Sequence, residues 1–314
     1  MKASTTSPLA DEPGETDGAL VRRSIDGDKE ALRELVERHQ PFIFNIALKM
    51  FGQRVDAEDL TQEALIKAIT SLGSFRGEAS FRTWLYRIAT NHFLNTRRRG
   101  MELTNVGFEA YFESIAATDD EPMTEEEQRV AGATVEELRI RCTTGMLMCL
   151  DRAQRITFIL GGLFGVSHQL GAEILQISPG NFRIRLHRAR TDLGSWMHRR
   201  CGLVSESNSC RCHKKTKSYV AAGLVDPTRL LFNADYTQRI REVVIRNAGV
   251  VMDEVDDLDL RVFRDHPLQI SKTRVLDEVL GNATLRGFFG LDGEGASPAP
   301  GDDGRALDTP RSVD

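Results

Sequence analysis

Ser178-Pro179-Gly180-Asn181-Phe182-Arg183-Ile184-Arg185-Leu186-His187-Arg188-Ala189-Arg190-Thr191-Asp192-Leu193 reads as one helix with an apolar back and a front that is basic and acid-free for three turns. Ser178 can accept from the free amides of the first turn, and Pro179 suits the first helical position, where no donor is needed. Phe182, Leu186, Ala189 and Leu193 recur at helical spacing and share one stripe. Winding by about 100° per residue turns Gly180, Ile184, His187 and Arg188 away from that stripe, with Asn181, Arg183 and Arg185 on its flanks. Standing alone, such a helix is no different from an ordinary amphipathic surface helix. The segment before it decides otherwise: Ser167 to Leu175 reads as a short helix capped by Ser167, with Leu170, Ile174 and Leu175 inward, and Gln176-Ile177 form the turn. Two helices joined this way make a helix-turn-helix, whose second member enters a DNA major groove. Ala172 is small where the helices approach, and Phe182 supplies their apolar contact. Gln176 stands where a glycine often provides positive φ, at a cost of about 1 kcal/mol at most.

The frame around this motif is all helical. The 314-residue chain has room for two domains and added segments, its formal net charge is -5, and no apolar run is long enough to span a bilayer. The polar, acidic N-terminus is unlike a signal peptide, so a cytoplasmic protein is expected. Charge is uneven: acids crowd residues 109 to 137 and 253 to 259, while bases crowd 82 to 99 and 183 to 217. For nucleic-acid binding, local basic faces count for more than the total. The expected organisation is a disordered tail at 1–17, a helical domain at 18–100 punctuated by Pro41, Gly52 and the Gly73 to Ser80 loop, and an acidic linker at 101–134. A second helical domain at 135–200, a Cys-rich loop at 201–216, a helical extension at 217–290 and a disordered tail at 291–314 complete it.

Within the first domain, Asp56 to Ile69 opens with acids suited to a helix N-terminus. Leu60, Ala64, Leu65, Ala68 and Leu72 form its buried stripe, leaving Asp59, Gln62, Glu63 and Ile66 together on the far side. An exposed isoleucine among acids suggests a docking face for a basic partner, although a solvated helix face has the same pattern. Ser80 caps the next helix, in which Phe81, Trp84, Leu85, Ile88 and His92 share a face while Arg82, Arg87 and Arg97 to Arg99 supply bases. Aromatics interleaved with arginine suit single-stranded nucleic acid, where bases stack on rings and cations track phosphates. Phe81, Leu85 and Ile88 are assigned to the core, leaving Phe75 and Trp84 open to either role.

Three stretches together carry a family resemblance: Asp-Ala-Glu-Asp-Leu-Thr-Gln-Glu at 56–63, Ser-Phe-Arg-Gly-Glu-Ala-Ser-Phe-Arg-Thr-Trp-Leu-Tyr-Arg-Ile-Ala-Thr-Asn at 74–91, and Leu-His-Arg-Ala-Arg at 186–190. In this order, across about residues 18 to 200, the chain resembles an extracytoplasmic-function sigma factor of the sigma-70 type. The resemblance implies two helical domains, sigma regions 2 and 4, with core RNA polymerase and promoter DNA as partners and an anti-sigma factor as a further one. It implies that Asp59, Gln62, Glu63 and Ile66 dock on the polymerase clamp. Phe75, Arg76, Trp84, Arg87 and Asn91 would capture the opened -10 strand, with a base extruded into the Phe75 to Ser80 loop. The helix at 178–193 would read the -35 duplex. There Arg183, Arg185, Arg188 and Arg190 serve mainly phosphates, and Asn181, Ile184 and His187 lie nearest base edges. The acidic linker would thread toward the polymerase active-site channel. The segment from Cys142 to Leu163 departs from the family, carrying Gly145, Gly161 and Gly162 and lacking an early proline and acidic positions.

Five cysteines in a chain expected to be cytoplasmic argue against a disulfide framework. Cys142 and Cys149, seven apart on an apolar helix, read as buried thiols. Cys201, Cys210 and Cys212 cluster in a polar loop, and with His198 or His213 they offer four ligands, enough for tetrahedral zinc. A thiol redox pair and plain structural cysteines are the other readings, and Lys214, Lys215 and Lys217 nearby should lower the thiol pKa. Beyond the loop, 235 to 248, 252 to 264 and 271 to 280 read as amphipathic helices of an added module expected to regulate the sigma core. A helix-turn-helix regulator that never joins polymerase is the competing function. No enzyme is expected, since there is no phosphate loop and no nucleophile with a placed base, and no cofactor is required.

Overall fold

A computed structural model describes residues 15–98, 100–104 and 107–230. Among these the ordered elements are helices: α1 (Asp17–Ile25), α2 (Lys29–Phe51), α3 (Arg54–Thr70), α4 (Phe81–Asn95), α5 (Phe108–Ala116), α6 (Glu125–Val130), α7 (Gly132–Met148), α8 (Arg152–Phe158), α9 (His168–Leu175), α10 (Pro179–Arg200) and α11 (Cys212–Ala221). The helices expected at 235–248, 252–264 and 271–280, and the two tails at 1–14 and 291–314, lie outside the described residues.

Local chemistry sets most boundaries. Ser80, Ser167 and Ser178 each accept from a backbone amide three residues on, and Asp28 and Asp151 cap α2 and α8 likewise. Gly52 ends α2 in the left-handed region at φ 76. Pro41, expected as punctuation, lies inside α2. The helix runs on through it because Phe42, Ile43, Phe44 and Ile46 are buried on its flanks, and that packing outweighs the lost hydrogen bond. The acidic stretch is not bare linker either. Phe108, Tyr111, Phe112 and Ile115 give α5 an apolar face that packs on α7 and α10, with Phe108 and Phe112 stacked on Trp196 of α10 at 5.9 and 5.7 Å.

The glycines that depart from the family pattern occupy close approaches. Gly145 of α7 lies under the Tyr111 ring, and a β-carbon there would collide with it. Tyr111 in turn donates from its hydroxyl to the Cys142 carbonyl at 2.8 Å. Gly161 sits in a π-helical turn, Ile159–Leu163, against Phe182 and Leu186. Within the helix-turn-helix the closest approach is at Gly171 and not at Ala172, because the Phe182 ring fills the space a Gly171 side chain would need.

α1 to α4 form one helical group and α7 to α10 another, yet a single apolar core runs through both. α4 packs on α9, and α2 packs on α7 and α8. Phe42 of α2 meets Phe164, beyond the π turn, at 4.9 Å. At the junction Arg155, 3% exposed, donates to the carbonyls of Met50, Leu147, Met148 and Leu150 and to Glu102 Oε1 at 2.7 Å. Arg152 joins the same carboxylate and reaches the Phe93, Leu94 and Thr96 carbonyls at the end of α4. Burial pushes Glu102 up, but the bonds and charges of Arg152 and Arg155 outweigh it and hold the carboxyl below its usual range. The two arginines of α8 thus tie both helical groups together, and a glutamate from the linker supplies their counter-charge.

Candidate nucleic-acid interface

On α10 the sequence-expected face is presented as read. Asn181, Arg183, Ile184, His187, Arg188 and Arg190 are exposed and Arg185 is half-buried, while Phe182, Leu186, Ala189 and Leu193 are buried behind them. Ile184, at 51% exposure, is an apolar group among cations, as a contact to a base edge would require. Gln176 adopts φ 54 and ψ 43, the one left-handed non-glycine residue among those described. Its backbone closes α9 in the manner expected of the turn. The helix itself continues beyond Leu193 to Arg200, carried by Met197, which is fully buried.

The second surface is built on α4 and the loop before it. Phe75 and Trp84 are half-buried with ring centroids 5.5 Å apart, each packed on Phe81 at 5.7 Å. Phe81 and Leu85 are core, as expected, whereas Ile88 is only half-buried. Beside this cluster the loop borders a cavity of about 910 Å3 lined by Arg22, Arg38, Arg76 and Arg82 together with Glu15 and Asp17, the last paired with Arg38 at 2.8 Å. A cavity of that size with an aromatic wall and cations can admit an extruded base and its phosphate. Leu170 of α9 lies at its edge. Farther along α4, Asn91 donates to the Gln176 side-chain carbonyl at 3.1 Å, and Arg87 stands 3.9 Å from Glu173. Two of the five residues expected to meet the -10 strand are therefore engaged by the helix-turn-helix. Sequence reading could not have found this, because the partners are 85 residues apart and each is an unremarkable surface polar residue.

On α3, Asp59 is exposed and Gln62 and Glu63 are half-buried. Glu63 meets His92 of α4 at 2.9 Å, so part of the expected docking face is already paired inside the domain. Ile66 is not the exposed residue expected. It is half-buried and packs against the core, which makes it a support for the face.

The acids of the linker are held by α11. Lys215 Nζ donates to the Thr118 carbonyl and lies 3.0 Å from Asp120, and Lys217 bridges to Glu127 at 2.8 Å. Ser218 donates to the Asp119 carbonyl and to Glu121. The expectation that the lysines would lower the thiol pKa values is corrected by burial: Lys215 does pull Cys210 down, but the net shift is upward. Burial, together with Cys201 and Cys210, pushes Cys212 up to about 12. Burial raises Cys142 as well.

Known proteins share this layout. Residues 35–102 match the sigma-70 region 2 family and residues 140–193 match sigma-70 region 4. The chain is 32% identical over 186 residues to the ECF RNA polymerase sigma-E factor of Haemophilus influenzae, covering 56% of this chain and 92% of that protein. It is 33% identical over 181 residues to the RNA polymerase sigma-H factor of Pseudomonas aeruginosa, covering 56% and 91%. With the sigma-E factor of Escherichia coli the identity is 31% over 186 residues, covering 56% and 91%. With both sigma regions matched in order and these relatives covered almost end to end, the chain belongs to the extracytoplasmic-function sigma factors.

Proposed function

We propose that the two basic surfaces are the two promoter grips of this sigma factor, and that the arrangement from Asp17 to Ala221 is its resting, closed form. In this reading α10 takes the -35 duplex, with Asn181, Ile184 and His187 at base edges and Arg183, Arg185, Arg188 and Arg190 on phosphates. Phe75, Arg76, Trp84, Arg87 and Asn91 take the opened -10 strand. Asp59, Gln62 and Glu63 face the polymerase clamp. The factor acts without chemistry of its own, in the cytoplasm, where the polymerase and chromosome are. A regulator working apart from polymerase is not favoured, because it leaves the region 2 match without a role.

The observation that carries the closed form is the contact of Asn91 with Gln176. The two elements lie about 25 base pairs apart, roughly 85 Å along B-form DNA at ~3.4 Å per pair. α9 and α10 are joined by a short turn, so α10 cannot reach its element while α9 remains on α4 and α4 holds the other. Initiation requires the α4 and α9 surfaces to part, and binding of polymerase to the α3 face supplies the differential affinity for the parted state. α11, the first helix of the extension, holds the linker acids in the closed form, which is how the extension would regulate the core.

In vitro transcription with core polymerase tests the reading. The wild-type chain should give promoter-specific open complexes that need both elements. The double variant Asp59→Lys/Glu63→Lys should lose polymerase binding and transcription while keeping affinity for -35 duplex DNA. Failure to initiate at any promoter in a randomised library would overturn it.

A further inference from the structure

Four of the five cysteines, drawn from three separated elements, line one cavity of about 250 Å3: Cys142 in the middle of α7, Cys201 at the end of α10, and Cys210 and Cys212 at the start of α11. From these positions we infer a binding site for a single thiophilic divalent cation of the zinc class, with Cys142, Cys201, Cys210 and Cys212 as its ligands. It differs from the His-containing set that spacing suggests. Neither His198 nor His213 lines the cavity, and Cys142, which reads in sequence as an ordinary buried thiol, replaces them. The region 4 match contains Cys142 but ends before Cys201, so the site joins one cysteine of the sigma core to three that this chain adds beyond it.

The loop that delivers three of the ligands is folded around its own polar contacts. The Cys201 amide donates to Met197, capping α10, and Cys201 and Cys210 pair as an isolated parallel bridge. Asn208 donates from its side chain to the His198 and Cys201 carbonyls at 2.9 and 3.0 Å. Arg211 donates to the carbonyls of Asn208, Cys210 and Glu206. The chord between Cys201 and Cys210 is thus pinned before any ion arrives. As placed, no three His, Cys, Asp or Glu side chains among the described residues share a ligating point. Rotation of a cysteine between χ1 rotamers moves its sulfur by about 3 Å, and the cavity leaves room for that movement.

Charge fits the ion. When four thiols take up one dication, four S–H bonds are exchanged for four metal–sulfur bonds, four protons leave to solvent, and the site carries a net charge of -2. The cavity wall offers Arg139, Arg199, Arg200 and Lys215 against Asp120 alone. Such a wall complements a four-thiolate centre and opposes a bare hard cation held by oxygen. The bound ion would fasten α7, α10 and α11 to one another, and α11 carries the contacts to the linker acids. This inference does not depend on which promoter elements the chain reads.

The test is the metal content and cobalt spectrum of the full-length chain, purified reduced and without a histidine tag. One zinc per chain is expected, and replacement by Co2+ should give the sulfur-to-cobalt charge-transfer band of a tetrahedral thiolate site. Cys142→Ser should weaken competition against a colorimetric zinc chelator by at least ~10-fold, with circular dichroism confirming the helical fold. Cys149→Ser, outside the cavity, and the double variant His198→Ala/His213→Ala should leave affinity and spectrum unchanged. The site is overturned by absence of zinc together with absence of a charge-transfer band. It is equally overturned if Cys142→Ser binds as tightly as wild type, if the double histidine variant loses the ion, or if the purified thiols yield only a disulfide.

Discussion

The outer faces of α10 and α4 are both basic, both carry residues suited to DNA, and both are presented by a serine-capped helix, yet one is bare and the other is covered. On α10 six of seven expected contact residues are exposed. On α4, Asn91 and Arg87 are engaged by Gln176 and Glu173 of α9, and Leu170 edges the cavity beside the Phe75 loop. The difference separates two tasks. Reading duplex DNA at -35 needs only an exposed helix. In the proposed reading, capturing an opened strand at -10 uses a surface that the same helix-turn-helix partly occupies. In the proposed closed form the chain can meet a duplex, but Asn91 and Arg87 are withheld from single-stranded DNA, so full strand capture waits on separation of the two helical groups.

The largest effect that could break this comparison is at the junction. Glu102→Gln leaves Arg155 buried without its counter-charge, and removing one partner of such a pair costs about 3–5 kcal/mol. Urea denaturation should show that loss together with decoupled unfolding of the two groups, and a loss below ~1 kcal/mol would mean the glutamate does not tie them. A smaller effect is expected on the covered face. The double variant Glu173→Ala/Gln176→Gly removes one hydrogen bond worth about 0.5–1.5 kcal/mol and a long, exposed ion pair worth little, so affinity of the free chain for -10 single-stranded DNA should rise by roughly 3- to 10-fold while -35 duplex affinity is kept. Fluorescence anisotropy with each oligonucleotide reads both. On the bare face, Arg188→Ala should weaken binding evenly across sequences and lower the salt slope by ~1, whereas Asn181→Ala should relax sequence preference at one position.

The smallest effect is a pH dependence at the first helix. Burial pushes Asp17 up, but its hydrogen bonds and charge interactions with His39 and Arg38 outweigh it and set the carboxyl at about 2. A depressed folded-state pKa stabilises the fold above the unfolded value near 4, and that stabilisation is lost as pH falls through about 2. The stability gap between wild type and Asp17→Asn should therefore be steady at neutral pH, narrow from pH 4 downward and vanish below pH 2. A gap independent of pH would show that Asp17 acts through packing alone.

How much of this was legible in the sequence depends on how local each signal is. The caps at Ser80, Ser167 and Ser178, the apolar stripe of α10 and the left-handed Gln176 depend on neighbours within a turn or two, and they stand as read. Acidic composition hid the apolar face of α5, since the charge count of the linker masked the helical spacing of Phe108, Phe112 and Ile115. Ile66 read as exposed because helical spacing places it opposite the Leu60 stripe, and only the folded packing shows that this side is also partly covered. Cys142 and its three partners are brought together by the folding of α11 onto α7, and the contact of Asn91 with Gln176 by the docking of α4 on α9. Such pairings depend on tertiary approach and leave no periodic trace.

A reversible cross-link at that last contact tests the closed form most directly. In the double variant Asn91→Cys/Gln176→Cys, oxidised and then reduced, with each single variant treated alike to account for the native thiols, open-complex formation with core polymerase would be followed alongside -35 duplex binding. The closed form predicts that the oxidised pair still binds the duplex but opens no promoter, and that reduction restores opening. Promoter opening at the wild-type rate by the cross-linked chain would contradict it.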